Sequence, residues 1–409
     1  MSELRSRLSA LRHQSGVSTR DEDATGSSDS IDALRHRLQR LGAGRRRRTP
    51  RYKRISDETL AARLGGRVVC DGVVLIREQL SVEAVHGEYP LLDSTLYQGL
   101  LLCSGGEGDT PRACVFMDTE TTGLAGGTGT LVFLLGMARF SGGVLEVNQL
   151  ILTAFQGECA MLDEAREFLR GADTLVTFNG RSFDAPLLAT RYRLSDLNDP
   201  FAELRHVDLL HATRRTFRHI WPDCRLQTVE RRLLGVERVG DLPGAEAPQA
   251  WFEWVRHGRD DALSAVCAHN RLDLLSLVVL PAALQRSHDD PAATDANVLA
   301  CARHFTRDRG DETAFAYLQR HRECLDAEGK LELARLARRR GEWSLAVEIW
   351  EHLAASRVVV AFEHLAKYYE HQKRDFGRAL QCTRRLMECA PHDHQHRQRD
   401  ARLRTRLRR

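Results

Sequence analysis

The run Ala113-Cys-Val-Phe-Met117 is apolar, has the length of one strand, and stops abruptly on Asp118, with Glu120 two residues later. No other feature limits what this chain can fold into as strongly. The run reads as a buried strand, and residues two apart in a strand share a face. Asp118 and Glu120 therefore stand side by side at its end. Like charges that close raise a carboxyl pKa unless a cation lies between them. Hard divalent cations that take oxygen ligands, magnesium or manganese, answer that need. The plainer alternative has Asp118 capping a turn and Glu120 in solvent.

The chain around this strand alternates between strand and helix patterns. Leu131–Phe140 is a second apolar run, Ser141-Gly142-Gly143 a turn, and Val144–Thr153 a third, alternating strand. Short loops between the three predict an antiparallel meander. A helix is expected over Glu158–Leu169 and a short buried strand over Thr174–Phe178. A helix follows over Ala185–Leu194, with Pro186 in its first turn. Arg205–Leu210 reads as a fifth strand. Ala262–Leu280 reads as a long apolar-faced helix that Pro281 ends. Together these predict an α/β fold: a mixed sheet with helices on its faces. Upstream, residues 67–103 carry short apolar pieces, with Asp71-Gly72 as a hairpin signal, and suggest a small β-rich module.

A chain of 409 residues has room for two or three domains. Residues 1–57 form a basic tail expected to be disordered, with a short amphipathic helix at Ile31–Leu41. The net charge is only +4, but Arg45, Arg46, Arg47 and Arg48 form a block suited to nonspecific phosphate contact, or to plain solvation. The α/β domain spans 58–283, with its core at 113–283, and 284–296 reads as a polar linker. Residues 297–391 read as helix after helix. Leu333-Ala334 recurs as Leu365-Ala366, and Trp343, Ala346 and Val347 recur as Phe376, Ala379 and Leu380, at offsets of 32 and 33 residues. That period suggests a tetratricopeptide-like all-α repeat, a surface type that binds proteins. Residues 392–409 form a second basic tail, also expected to be disordered. The ten cysteines include no Cys-x-x-Cys pair, which argues for reduced thiols in a cytoplasmic protein. No apolar run typical of a signal peptide opens the chain, and no stretch reaches the ~20 apolar residues of a membrane span.

Further polar residues join Asp118 and Glu120. Asp184 closes Phe178-Asn-Gly-Arg-Ser-Phe-Asp184, between a strand and a helix, where it either serves a site or N-caps the helix. His269 and Asp273 lie four apart on one face of the long helix, with Asp273 among leucines. A carboxylate there needs a partner or a metal; an exposed His–Asp pair is the alternative. Asp208, in an apolar run, reads as a satisfied core group or a support for the site. Gly126-Gly-Thr-Gly-Thr130 lacks the lysine of a nucleotide loop and fits turn chemistry or flexible access better.

Three of these stretches resemble the motifs of the DEDD 3′–5′ exonucleases: Asp-Thr-Glu-Thr-Thr-Gly-Leu (118–124), Phe-Asn-Gly-x-x-Phe-Asp (178–184) and His-Asn-x-x-Asp-Leu-Leu-Ser-Leu (269–277). With Cys224-Arg225-Leu226 and Asp241-Leu242-Pro243-Gly244, they resemble the YprB-like branch of the ribonuclease H-like superfamily over roughly residues 60–283. The resemblance implies a ribonuclease H-like fold and hydrolysis of DNA or RNA from single-stranded ends. It implies two divalent cations, Mg2+ or Mn2+, held by Asp118, Glu120, Asp184 and Asp273. Thr119, Thr121, Gly123, Leu124, Asn179, Phe183 and Asn270 would contact substrate. Two metals about 3.5–4 Å apart suit in-line displacement at a phosphodiester. One departure stands out. The family's third motif carries Tyr four residues before its Asp, or His five before; here His269 lies four before Asp273. His269 then serves as general base or as an orienting group. The alternative function is a weakly active or inactive nuclease-like scaffold that binds nucleic acid, and proteins through its helical repeat.

Overall fold

The computed structural model describes residues 55–104, 111–123, 129–389 and 393–408. The Ile31–Leu41 helix, the Arg45–Arg48 block, Leu124 and the Gly126–Thr128 part of the glycine loop lie outside the described residues.

Seven strands form one sheet in the order β1-β2-β7-β6-β5-β8-β9. The central β5 (Cys114–Thr121) pairs antiparallel with β6 (Val132–Ser141), which pairs antiparallel with β7 (Val144–Leu152). Gly142 and Gly143 join β6 to β7 with φ of 57° and 82°, a two-residue turn that needs residues tolerating positive φ. On its other side β5 pairs parallel with β8 (Thr174–Thr177), and β8 with β9 (Arg205–Asp208). The fold is thus a mixed sheet of seven strands flanked by helices, followed by an all-helical C-terminal region, as the sequence predicted.

The β-rich stretch upstream is not a separate module. β1 (Arg67–Cys70) and β2 (Val73–Ser81) form the expected hairpin, and β2 pairs with β7 from Val73↔Leu152 to Ser81↔Val144. Its apolar residues therefore extend the main sheet. The dipeptides β3 (Val85–His86) and β4 (Tyr89–Pro90) make a small ribbon.

Alternation along β5 assigns its two faces. Val115 and Met117 enter a core with α1 (Asp57–Leu64), α3 (Glu158–Phe168), α4 (Asp184–Leu194) and α7 (Ala247–His257). Cys114 and Phe116 enter the opposite core with α2 (Leu96–Cys103), α5 (Leu209–Phe217) and most of α8 (Leu263–Asp289). A short helix, α6 (Leu226–Val229), runs on into a π-helical turn at Glu230–Leu234.

Four expectations are corrected. Arg205–Leu210 is not all strand: Asp208 ends β9 and caps α5 by accepting from Leu210 N, because a short polar side chain at that junction satisfies the helix's free amide. Pro281 does not end α8, which runs on to Asp289. Residues 278–284 are all buried, and Gly99 of α2 lies against the Pro281 carbonyl, where an added Cβ would come within 1.9 Å of the oxygen. Packing outweighs the lost hydrogen bond. Much of 284–296 is therefore helical, including α9 (Pro291–Thr294). The tail at 393–408 forms α16 (His394–Leu407), whose Leu403 is fully buried. Finally, α8 is long and apolar enough to cross a membrane by length and composition, yet 67% of that window is buried inside the protein.

The C-terminal helices run in order as α10 (Val298–Asp308), α11 (Asp311–Arg320), α12 (Ala327–Arg339), α13 (Trp343–Ala355), α14 (Val359–Tyr368), α15 (Phe376–Cys389) and α16. The recurring residues hold equivalent places. Leu333, Ala334, Leu365 and Ala366 are buried on α12 and α14, and Ala346 and Ala379 on α13 and α15. Glu370, 1% exposed, is held by Arg399 and Arg402 of α16, which fixes the last helix to the array.

One row across the sheet decides where α8 can sit. Asp118, Gly136 and Gln149 are successive partners on β5, β6 and β7. The Asn270 carboxamide of α8 lies on this row: a Cβ at Gly136 would come within 2.2 Å of its Oδ1. Asn270 Oδ1 accepts from Gln149 Nε2 at 2.8 Å, and its Nδ2 donates to Asp118 Oδ2 at 2.8 Å. Gly136→Ala is expected to cost about 2–3 kcal/mol by overpacking. A urea unfolding midpoint equal to wild type would remove this account of the row.

Candidate active site

Four carboxyl groups converge where β5, α4 and α8 meet. Asp118 and Glu120 occupy alternate positions at the end of β5, on the face toward α8. Asp184 is the first residue of α4. Asp273 lies on α8 one turn after His269. Asp118, Glu120, Asp184 and Asp273 all act on one another's ionisation or share neighbours that do.

The loop before Asp184 is built by backbone geometry. Asn179 takes φ +68°, and Asp208 anchors the loop by accepting from Asn179 N at 2.7 Å and Arg181 N at 3.1 Å. A Cβ at Gly180 would come within 2.6 Å of Thr177 Cβ and 2.9 Å of Asp184 Oδ2. The Asn-Gly pair of this motif thus turns the chain. Thr119, on the opposite face of β5 from Asp118, donates its hydroxyl to Asp184 Oδ1.

Burial makes the cluster costly to ionise. Asp118 is raised well above the usual carboxyl range by burial, then by Asp273, Asp184 and Glu120, against the Asn270 hydrogen bond. Burial, Asp273 and Asp184 push Glu120 up to about 8. Burial pushes Asp184 up to about 6 despite its bond from Thr119. Burial also raises Asp273, against the pull of Arg238 and His269.

Arg238 is the part that sequence reasoning missed. Its side chain is 8% exposed and meets Asp273, Glu230 at 2.6 Å and Asp241 at 2.9 Å. Burial opposes its charge, but Glu230 and Asp273 raise its pKa further. Glu230 also accepts from Ser276 of α8 at 2.5 Å, and Ser276 meets His86 Nε2 at 2.8 Å. Arg238 lies in Gly-Val-Glu-Arg-Val-Gly (235–240), which reads as a solvated loop; no pattern in the sequence points it inward. Asp241, known from the sequence only by resemblance, lies 2.8 Å from His269 Nδ1 through Oδ2. Burial opposes its ionisation, yet Arg238 and His269 hold it below the ordinary range. Arg238 Nη1 also meets His269 Nδ1, at 3.1 Å, and His269 Nε2 faces Asp273 Oδ2 at 3.7 Å and Glu120 Oε1 at 3.9 Å.

The expected substrate contacts divide. Phe183 is 57% exposed beside Asp184. Among the described residues nothing lies within 4 Å of a Cβ built on Gly123, and Thr121 donates to its carbonyl at 3.0 Å. Asn270 is fully buried, so it cannot touch a substrate; it serves Asp118 instead. The Thr119 hydroxyl is likewise committed to Asp184.

The donor set fits a hard cation chemically: carboxylate oxygens, out of water and short of positive charge. Among the described residues, however, no three His, Cys, Asp or Glu side chains are grouped as a metal site. Each carboxylate has an internal partner: Asn270 for Asp118, Thr119 for Asp184, Arg238 for Asp273 and, more loosely, His269 for Glu120.

Comparison with known proteins bears on this site. A family described as the RNase_H superfamily matches residues 115–285. The uncharacterized protein YprB of Bacillus subtilis (strain 168) is 34% identical over 342 residues, covering 78% of this chain and 82% of that protein. The chain belongs to the YprB family of the ribonuclease H superfamily. A family B DNA polymerase from the hyperthermophilic archaeon Pyrobaculum calidifontis aligns with 57% of this chain and 30% of its own, at 15% identity and a TM-score of 0.35. So slight a likeness carries no weight for the fold or the chemistry.

In this YprB-family chain the raised carboxyls link stability to pH. Their folded pKa lies above the unfolded one, so their contribution is full below the unfolded values and is lost as pH rises through the folded ones. For Glu120 and Asp184 that window runs from about 4 to about 8. Without divalent cation, Tm is expected to fall by roughly 5 °C or more between pH 5 and pH 8. Glu120→Gln should flatten the fall, and manganese at pH 8 should reverse it. A Tm that is flat over this range, or that rises, contradicts the electrostatic account.

Proposed function

We propose that this protein is a divalent-metal-dependent nuclease that removes nucleotides from the 3′ end of single-stranded DNA or RNA. The observation that carries this reading is the convergence of Asp118, Glu120, Asp184 and Asp273, buried and raised in pKa, in a ribonuclease H superfamily fold. Their order along the chain resembles that of the DEDD exonucleases, with the departure at His269, and supports this reading.

Asp118, Glu120, Asp184 and Asp273 would hold two Mg2+ or Mn2+ ions. When bound, such ions acidify the attacking water and stabilise the leaving oxygen. The chain's own residues do the rest. Asn270 fixes the Asp118 carboxylate against the sheet, and Thr119 fixes Asp184. Asp241 holds His269 by Nδ1, so that Nε2 takes the proton from the attacking water. The exposed Phe183 ring offers a stacking surface for the terminal base, with a worth of about 1–3 kcal/mol. Arg238 has to leave Asp273 for that carboxylate to take a cation. All ten cysteines are free, in keeping with a reducing cytoplasm. The paired helices after residue 297 support a tetratricopeptide-like surface for a protein partner.

One observation favours the second reading, a nuclease-like scaffold of little activity: Arg238 sits on Asp273 and supplies the charge a cation would bring. Activity separates the two. Purified protein with manganese should shorten a 3′-labelled single strand, and Asp118→Ala should lower the rate at least 10³-fold. His269→Gln should lower it about 10²–10⁴-fold, the usual worth of a general base. Phe183→Ala should mainly raise KM. Wild-type protein without activity under magnesium and manganese, or an Asp118→Ala variant that keeps it, removes the nuclease reading.

A further inference from the structure

A second polar site lies away from the carboxylates, between α5 and α10. A cavity of about 860 Å³ is lined by His211 and Arg215 of α5 and by Arg303, His304, Arg307 and Asp308 of α10. Three arginines thus face one carboxylate. That carboxylate is committed, since Asp308 Oδ2 lies 2.9 Å from His304 Nδ1. Arg303 pairs with Glu328, and both remain more than half exposed.

Arg215 is the unexplained member. Burial pulls its pKa below the usual arginine value, and the thiols of Cys301 and Cys103 are its foremost electrostatic neighbours. Burial drives the Cys103 thiol up to about 12 and raises that of Cys301, so both are neutral at pH 7. Among the described residues Arg215 has neither an ion pair nor a hydrogen bond. Arg215 is half-buried, and the one carboxylate that acts on it, Asp308, is shared with His304, so its charge is incompletely met. His304 adds no donor: its Nδ1 lies on Asp308, and burial pushes its pKa down to about 4, so its buried Nε2 offers only a lone pair. Three guanidinium groups round one cavity, against a single carboxylate, describe the complement of an anion with several oxygens. Arginine forks match phosphate oxygens in pairs.

The place of the cavity in the fold narrows its role. Asp208 caps α5 and also anchors the loop that carries Asp184. Arg215 lies seven residues further along, about 10 Å down the helix axis. A rigid helix therefore links the carboxylate cluster to the basic cavity.

We infer that the cavity between α5 and α10 is a phosphate-binding site, with Arg215 as its central ligand and Arg303 and Arg307 at its rim. The ligand is a phosphate group, supplied by the backbone of a nucleic acid or by a free phosphate. This goes beyond the nuclease reading and does not require it, because binding here needs no divalent cation.

The test uses the full chain without divalent metal. Inorganic phosphate should raise Tm more than chloride does at matched ionic strength. Arg215→Met should weaken phosphate binding at least tenfold by calorimetry. Its Tm in phosphate-free buffer should equal or exceed wild type, since an incompletely met charge has gone; an arginine that merely supported the structure would lower it. Arg307→Gln, at an exposed position, should weaken binding without altering the fold, and Arg385→Gln on α15 should leave it unchanged. Single-stranded oligonucleotide separates the two sources. If it is the ligand, the slope of log K against log salt should fall by about 0.7 for each arginine removed. Phosphate binding lost in the variants with no change in that slope assigns the site to free phosphate. The inference is overturned if neither probe responds to Arg215→Met and Arg307→Gln, or if wild type binds phosphate no better than chloride.

Discussion

Holding four carboxyl groups together out of water is the constraint that shapes the ribonuclease H-like part of this protein. Desolvation alone lifts each of them, and their mutual repulsion lifts Asp118 and Glu120 further. The surrounding structure is arranged to bear that cost. Gly136 gives up a side chain so that Asn270 can reach across three strands to Asp118. Thr119 uses the opposite face of the same strand to hold Asp184. Arg238 brings a full positive charge to Asp273 while being held by Glu230 and Asp241. The same Asp241 orients His269. Each polar group near the cluster thus answers to the charge problem, not to packing alone.

The C-terminal region solves a milder form of the same problem. Glu370 is almost fully buried, and burial opposes its charge, yet Arg402 and Arg399 keep its carboxyl below the ordinary range. This buried ion network, with Leu403, converts an Arg- and His-rich tail into an ordered helix. At the α5–α10 cavity the balance runs the other way, with positive charge left over.

Much of this was legible in the sequence because period and spacing carry it. Two-residue alternation put Asp118 and Glu120 on one face, and four-residue spacing put His269 above Asp273. Asp71-Gly72 and Gly142-Gly143 marked turns that occur where expected. Other features were not legible, for reasons that are local and physical. Pro281 normally ends a helix, but here tertiary packing on both sides of it prevails. Arg205–Leu210 looked like one strand because Leu209 and Leu210 are apolar; they are buried on a helix instead. The basic tail looked disordered because the partner of Arg399 and Arg402, Glu370, lies about thirty residues earlier and meets them only in the fold. Arg238 was invisible because its three acidic partners, Glu230, Asp241 and Asp273, meet only in the fold, and no spacing rule links them.

The proposed cation pocket requires Asp118, Glu120, Asp184 and Asp273 to hold metal together and Arg238 to give up Asp273. Anomalous diffraction from crystals soaked in manganese tests it most directly. The expected result is manganese density bounded by Asp118, Glu120, Asp184 and Asp273, with Asn270 still on Asp118 and Arg238 withdrawn from Asp273. A manganese-saturated crystal with no density at that pocket and Arg238 still on Asp273 would contradict it.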